Sequence, residues 1–301
     1  MAVMLIDIVM PFWGDLVHLR EAIDSVRAQD DPEWRLTVID DVYPDLAPGE
    51  WVRGLTDERI TYVRNDENLG PSRNYSKGVG LVDGEFVVIL GCDDRLLPGY
   101  VRRVKELIAL FPDAGLIQPG VRVIDECGVV SHPLADRIKG WIDPKGPFPR
   151  SFAGESIAVS LLRGNWTYFP SLVWRRSLVA GGFRSDLNVV QDLAKILEII
   201  MGGGPVVVDD VPVFEYRRHS QSVSAKTAID ASKYGQELTL FTELTVQCRE
   251  RGWRKAARAS SWHTTSRLSA LSVIPAALRA RRGDGARALF RHAFAFPPTP
   301  R

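Results

Sequence analysis

Two pairs of adjacent carboxylates, Asp40-Asp41 and Asp93-Asp94, each close a short apolar run, WRLTVID and EFVVIL. Such runs read as buried strands, and the carboxyl ends of strands in an open α/β sheet are where ligands bind. Two neighbouring acids repel, so keeping both charged calls for a counter-charge. A divalent cation bridging to phosphate supplies one, because hard cations take oxygen ligands. The structural alternatives are helix capping by Asp40 and Asp41, and capping by Asp93 and Asp94 of the helix near Pro98. A buried unpaired acid pair is costly, which favours a function for the second pair. Asp192 opens another helical pattern, VVQDLAKILEII, where the helix dipole alone would favour an acid.

The elements needed to hold these residues follow from periodicity. LIDIVM (5–10), WRLTVID (34–40), RITYV (59–63) and EFVVIL (85–90) read as strands. Leu16, Leu19, Ile23 and Val26 recur at helical spacing behind a plausible cap at Asp15. Gly70 and Pro71 open a second helix, and Val101, Val104, Leu107, Ile108 and Phe111 mark a third. Strands alternating with helices predict parallel pairing and right-handed crossovers. After Gly115 the rhythm changes. Residues 131–154 are rich in Pro and Gly and are expected to form a loop over the site. Helices are expected at 155–164 and 189–200, strands at 169–176 and within 205–219, and helices from 228 on, with an amphipathic stretch at 268–280 interrupted by Pro275.

Composition narrows the classes. The 301 residues are 45% hydrophobic and 25% charged, ordinary for a globular protein. Cys92, Cys127 and Cys248 are far apart and form no CxxC, which argues against structural zinc and a disulfide scaffold and fits a reducing compartment. The N-terminus lacks a basic leader region, and no apolar run approaches the ~18 residues of a spanning helix, so a cytoplasmic location is expected. GxGxxG and GxxxxGK[ST] are absent, and MGGGP follows a helix rather than a strand, which disfavours dinucleotide-binding and P-loop readings. The net charge of +1 hides an asymmetry: residues 249–301 carry 12 Lys/Arg against 2 acids, leaving −9 on the rest. A basic tail on an acidic body fits contact with an anionic surface, a second copy, or a solvated helix face.

The order of the pieces resembles the family 2 glycosyltransferases. VMPFWGD is similar to the family's first strand and turn, VIDD to its second-strand acid pair, NLGPSRN to "N-x-G-x-x-x-A-R-N", and VILGCDD to "L-D-x-D-D". GGFRSDLNVVQDLAKIL is similar to "G-G-F-D-E…E-D-x-D-L", and YRRHSQSVS to "Y-R-x-H-x-x-S-x-S". The resemblance covers about residues 5–220. It implies a GT-A fold, Rossmann-like with a mostly parallel central sheet flanked by helices, followed by a helical C-terminal extension. It also implies a domain at 1–225, divided into a nucleotide-binding half (1–115) and an acceptor half (116–225), with a basic helical extension at 226–301.

The same resemblance implies site roles. Pro11 and Phe12 line the base pocket, Asp41 beside Asp40 accepts from the base's ring N–H, Asn68 belongs to the nucleotide loop, and Arg73 reaches base or diphosphate. Asp93, with Asp94 and His219, meets Mn²⁺ or Mg²⁺. Asp192 is the general base, and Trp166, Tyr168, Gly182, Phe183 and Gln191 lie on the acceptor side, although Trp166 and Tyr168 at this spacing also read as core. On a helix Asp192 neighbours Val189 and Ile196, and partial desolvation there would raise its pKa and improve it as a base. The implied reaction is inverting, metal-dependent transfer of a sugar from a nucleoside diphosphate to an acceptor hydroxyl in polysaccharide, cell-envelope or glycoconjugate synthesis. UDP is the expected donor nucleotide, with dTDP or GDP the alternatives. The acceptor is a saccharide or lipid-linked, nucleic acid is not a partner, and the basic helices contact a membrane face or a second copy.

Three departures stand out. Gly91 replaces the first acid of the metal motif, Gln191 replaces the Glu before the base, and the usual DDGS turn is DDVY. Gly91 and Gln191 support a competing expectation, a catalytically silent nucleotide-sugar-binding homologue. A nucleotidyltransferase is disfavoured, since PFWGD lacks a Gly- and Lys/Arg-rich loop.

Overall fold

The computed structural model describes residues 4–218, 231–279 and 283–294. The first half alternates as the periodicity predicts: β1 (Ile6–Phe12), α1 (Leu16–Arg27), β2 (Trp34–Asp40), α2 (Ala47–Arg53), β3 (Ile60–Arg64), α3 (Pro71–Leu81) and β4 (Phe86–Ile89). These strands pair in parallel in the order β3-β2-β1-β4. Asp15 caps α1, accepting from Val17 N at 2.7 Å.

After β4 come the two-residue β5 (Arg95–Leu96), α4 (Tyr100–Leu110) and β6 (Leu116–Ile124). α5 (Leu134–Ile142), β7 (Arg150–Phe152), α6 (Gly154–Arg163), β8 (Val173–Arg175) and α7 (Arg176–Val179) follow. α8 (Gln191–Met201) and the long β9 (Val206–Arg217) complete the sheet, whose order is β3-β2-β1-β4-β8-β6-β9-β5 with β7 also on β9. Beyond β4 the sheet is mixed. β8 runs antiparallel to both neighbours, and β6 and β9 are parallel. The expected loop at 131–154 contains α5 and β7; most of its Pro and Gly fall between the two elements, which hid both from a composition-based reading.

The sheet separates two cores, and β1 shows how. Ile6, Ile8, Met10 and Phe12 face one core and Val9 the other. The first core is filled by α1, α4 and the even-numbered face of β4, and the second by α3, α6 and α8. The C-terminal helices divide in their packing. α9 (Ser232–Glu250) and α10 (Arg254–Trp262) bury Leu240, Phe241, Leu244, Cys248, Ala256 and Ala257 in the second core. α11 (Thr264–Arg279) and α12 (Gly283–Phe294) form a separate cluster of Ala270, Ala277, Ala286, Leu289 and Ala293 with Ala231 and Tyr234. α11 runs through Pro275, so the expected interruption there is a lost hydrogen bond within a continuing helix.

Candidate active site

The carboxyl ends of β1, β2 and β4 meet at one edge of the sheet. Phe12 has the parity of Ile6, Ile8 and Met10, so it is fully buried and cannot line a pocket wall. The exposed aromatic is the next residue, Trp13, at 53%. Tyr43 packs edge-on against both, with ring centres 5.6 Å from Trp13 and 5.1 Å from Phe12. The aromatic surface at this rim is therefore Trp13 and Tyr43 resting on Phe12, beside a half-buried Pro11.

Asp40 and Asp41 build the rim. Asp40 is fully buried and accepts from Tyr43 N (2.7 Å), Tyr62 Oη (2.5 Å) and Arg64 Nη1 (2.5 Å). Asp41, 4% exposed, accepts from Asn65 Nδ2 (2.7 Å), Leu69 N (2.8 Å) and Gly70 N (2.9 Å). Asn68 turns the same loop, donating from Nδ2 to Asp41 O at 3.0 Å and accepting from Gly70 N at 3.2 Å. Asp41 thus fills the anion position at the start of α3. The carboxylates of Asp40 and Asp41 are thus held by the protein's own donors, while Asn68 stays exposed on the loop. Between the acids and Tyr43, Val42 sits at φ +63°, a left-handed conformation costly for a β-branched residue. Arg73 is exposed and among the described residues pairs only with exposed Glu67, at 3.2 Å, a weak contact that leaves its guanidinium available to an anion.

The second acid pair is clamped from β9. Buried Arg217 donates from its backbone N to Asp94 Oδ1 (2.8 Å), from Nε to Asp93 O (2.7 Å) and from Nη2 to Glu21 Oε2 (2.5 Å). Asp94 is buried, and that burial, with the charge of Asp93 beside it, holds its pKa well above the usual carboxylate range. Asp93 is more exposed. Gly91 lies beneath both carboxylates: a Cβ there would stand 2.4 Å from Asp94 Oδ2 and 2.9 Å from Asp93 Oδ1. Burial and the Asp93 charge push the Cys92 thiol up to about 12, so it is an inert filler.

The pair offers two hard oxygen donors. Among the described residues no group of three or more His, Cys, Asp or Glu gathers to hold a metal ion, and His219 lies outside the described residues. This donor set does not make a protein cage. It fits a divalent cation that takes its other ligands from a diphosphate and water.

Asp192 stands in the first turn of α8, its Oδ2 accepting from Asn165 Nδ2 at 2.9 Å. Burial raises its pKa; the Leu193 backbone N–H, the Lys139 cation and Asn165 oppose the rise. Asn165 is fixed in turn by Thr167, whose Oγ1 donates to Asn165 Oδ1 at 2.7 Å. From α5, Lys139 donates to Thr167 O at 2.6 Å and sits 4.0 Å above the Tyr168 ring, and burial pushes its pKa down to about 8. Tyr168 donates to Asp136 Oδ1 (3.0 Å), which Arg218 holds with two bonds (3.0 and 2.8 Å). Tyr75 of α3 is affected by both acid sites: after burial, the nearby Cys92, Asp192 and Asp93 push its hydroxyl pKa upward. Sequence reasoning missed Tyr75, Lys139, Asn165 and Asp136, which no motif marks.

Four expected acceptor-side residues are structural. Gly182, at φ +79°, would put a Cβ 2.7 Å from Ser76 Oγ, and that hydroxyl accepts from Phe183 N at 2.8 Å. Phe183 packs edge-on to Trp174, Phe169 and Tyr75 in the core. Trp166 is buried and donates to Ser160 Oγ at 3.1 Å. Gln191 is buried under α8, its Oε1 without a hydrogen-bond partner among the described residues. Of the five, Tyr168 and Gly182 stay partly exposed.

The family profile of Glycosyl transferase family 2 matches residues 7–166, more than half of the chain, and the chain belongs to that family. It is 25% identical over 213 residues to the succinoglycan biosynthesis protein ExoO of Rhizobium meliloti, an alignment covering 69% of this chain and 59% of ExoO. The chain thus spans about three fifths of that relative, and 34% of another curated one. Among solved structures it is similar to Staphylococcus aureus TarS residues 1–349 in complex with UDP-GlcNAc (TM-score 0.61, 13% identity, 97% of this chain and 93% of that one). It is likewise similar to the mannosyltransferase PcManGT of Pyrobaculum calidifontis in complex with GDP-Man and Mn²⁺ (TM-score 0.62, 17% identity, 96% and 79%). The fold is the GT-A fold of these proteins.

Proposed function

We propose that this chain transfers a sugar, with inversion, from a nucleoside diphosphate to an acceptor hydroxyl in envelope polysaccharide assembly. The carrying observation is that Asp93 of the strand-end pair Asp93-Asp94 and Asp192 both act on the same Tyr75, which supports reading them as the donor and acceptor ends of one site. ExoO supports the pathway class by name, and the UDP and GDP complexes of the structural neighbours support UDP, with GDP or dTDP as alternatives. The acceptor is a saccharide, free or lipid-linked, and nucleic acid is not a partner.

The donor nucleotide lies against Trp13 and Tyr43, with Arg73 facing its phosphates. Mn²⁺ or Mg²⁺ on Asp93 and Asp94, when bound, neutralises charge that develops on the departing diphosphate. Asp192 takes the acceptor's proton on a carboxylate oxygen while Asn165 holds Oδ2 and fixes the orientation. The Lys139 cation favours the ionised form of this base against the effect of burial. Residues 1–115 carry the donor half and 116–225 the acceptor half. The helices after 226 add a membrane-facing or self-associating surface: α11 exposes Leu268, Leu271 and Leu278 among basic residues. No helix among the described residues is long and apolar enough to cross a membrane.

Isothermal titration with UDP- and GDP-sugars, with and without Mn²⁺, tests the donor half. Binding should require the cation and be lost in Asp93→Asn; unchanged affinity in that variant removes the metal assignment. Gly91 and Gln191 favour a silent binding homologue as the second reading. Donor binding without hydrolysis or transfer to any hydroxyl acceptor would select it.

A further inference from the structure

Away from the strand ends, α6 and α10 enclose an open groove of about 640 Å³ lined by Val159, Arg163, Lys255, Arg258, Ala259 and Trp262. Arg163, Lys255 and Arg258 are exposed and have no ion-pair partner among the described residues. Arginines of the sheet body such as Arg95, Arg103, Arg122 and Arg217 are each held by a carboxylate. The nearby acid is already used: Glu155 Oε1 accepts from Lys255 N (2.6 Å) and Ala256 N (3.0 Å) at the start of α10. Three cations therefore share one concavity without neutralisation, beside an indole that is 50% exposed.

The groove is continuous in sequence with the acceptor half. Thr265 Oγ1 donates to Arg163 O at 2.5 Å, and a Cβ on Gly164 would stand 2.5 Å from Ile142 and 3.2 Å from Thr265, so α5, α6 and α11 meet there. Two residues beyond Arg163, at most about 7 Å of chain, Asn165 holds Asp192.

We propose that this groove binds an anionic saccharide, a carboxylate- or phosphate-bearing chain whose acceptor end is presented toward Asp192. The proposal deepens, and rests on, the acceptor assignment made above. Guanidinium groups meet carboxylate and phosphate with paired hydrogen bonds, and a flat indole gives a sugar ring an apolar face to rest on. The volume falls within the range of small-ligand sites, roughly 300–1,000 Å³, enough for a few sugar rings. A bilayer needs an exposed apolar face, as Leu268 and Leu271 of α11 offer, whereas a concave groove rimmed by cations favours a discrete chain.

The test uses the full-length protein and two probes of equal length, an oligogalacturonate (polyanionic) and a maltooligosaccharide (neutral), followed by tryptophan fluorescence and calorimetry at about 50 and 300 mM salt. Expected are binding of the first probe only, weakening with salt, and at least a tenfold loss in Arg163→Ala/Arg258→Ala. Arg163→Lys/Arg258→Lys should restore much of the affinity, and Trp262→Ala should remove the fluorescence response. Donor titration should be unchanged in all of these variants; its absence from the wild type as well would count against the transferase reading and not against the groove. Equal binding of both probes, equal binding by wild type and the double alanine variant, or loss of anionic-vesicle pelleting without loss of oligogalacturonate binding in that variant would overturn the proposal.

Discussion

Replacing Gly91 by alanine tests whether the acid turn is the donor-binding element. The substitution adds one methyl group, yet its carbon would lie 2.4 Å from Asp94 Oδ2 and 2.9 Å from Asp93 Oδ1. Asp94 cannot swing away freely, because its other oxygen is bonded to Arg217 N at 2.8 Å inside the protein. Moving it leaves a buried backbone N–H without its acceptor, which costs about 1–3 kcal/mol. The Arg217 side chain is tied to the same turn through Asp93 O, so the clamp loosens as a unit. A total of about 2–3 kcal/mol corresponds to a melting temperature lower by roughly 4–10 °C in a chain of this size. Metal-dependent donor affinity should fall with it, since both carboxylates shift. Differential scanning fluorimetry and donor titration with Mn²⁺ measure the two effects on one sample. A variant that melts like the wild type would refute the geometry of the turn. One that melts lower but binds donor and Mn²⁺ unchanged would refute the placement of the cation on this pair.

Asp192→Asn should keep donor affinity and lower turnover by roughly 10²–10⁴-fold, checked by steady-state kinetics; near-normal turnover would place the base elsewhere. Asn165→Ala removes a donor that favours the ionised carboxyl, so the acid limb of the pH–rate profile should move to higher pH, and an unmoved limb would separate Asn165 from Asp192. Val42→Gly should raise stability by up to about 1 kcal/mol, the left-handed strain of a β-branched residue being partly offset by glycine's greater unfolded-state entropy; chemical denaturation reads it. His292, buried against Ser266 and Tyr234, is held neutral by burial with its pKa down at about 4, below the ordinary value of 6.5. Its contribution to stability is complete above pH about 6.5 and is lost as pH falls from there toward 4; His292→Phe should flatten that dependence in pH-resolved melting.

Much of the fold was legible because its first half is a sequence of buried parallel strands, and such strands announce themselves as continuous apolar runs. The acids at their ends were legible for the same reason. What those acids do was less so. Asp40 and Asp93 look alike in sequence, but β3 lies beside β2 and brings Tyr62 and Arg64 onto Asp40, whereas Asp93 stands on a turn clamped from β9 through its backbone. That distinction depends on strand register. Trp13 could not be found from alternation, since β1 is buried on both faces, Val9 as fully as Phe12; it is exposed because it stands one residue past the end of β1. Lys139 and Asp136 could not be found either: they sit on a short helix flanked by Pro and Gly, and they join Tyr168 and Arg218 only after three separate segments converge.

The division among the C-terminal helices sets where this chain can be cut. A break at residue 247 would fall within α9 and take Cys248 and all of α10 from the second core, so its product would report on lost folding rather than on a missing surface. A break after His263 removes only the hairpin whose interior is largely alanine. Small side chains bury little apolar area, and such a unit can open without the sheet behind it. In modular terms the last two helices are the exchangeable cartridge of this transferase, and the two before them are part of its chassis.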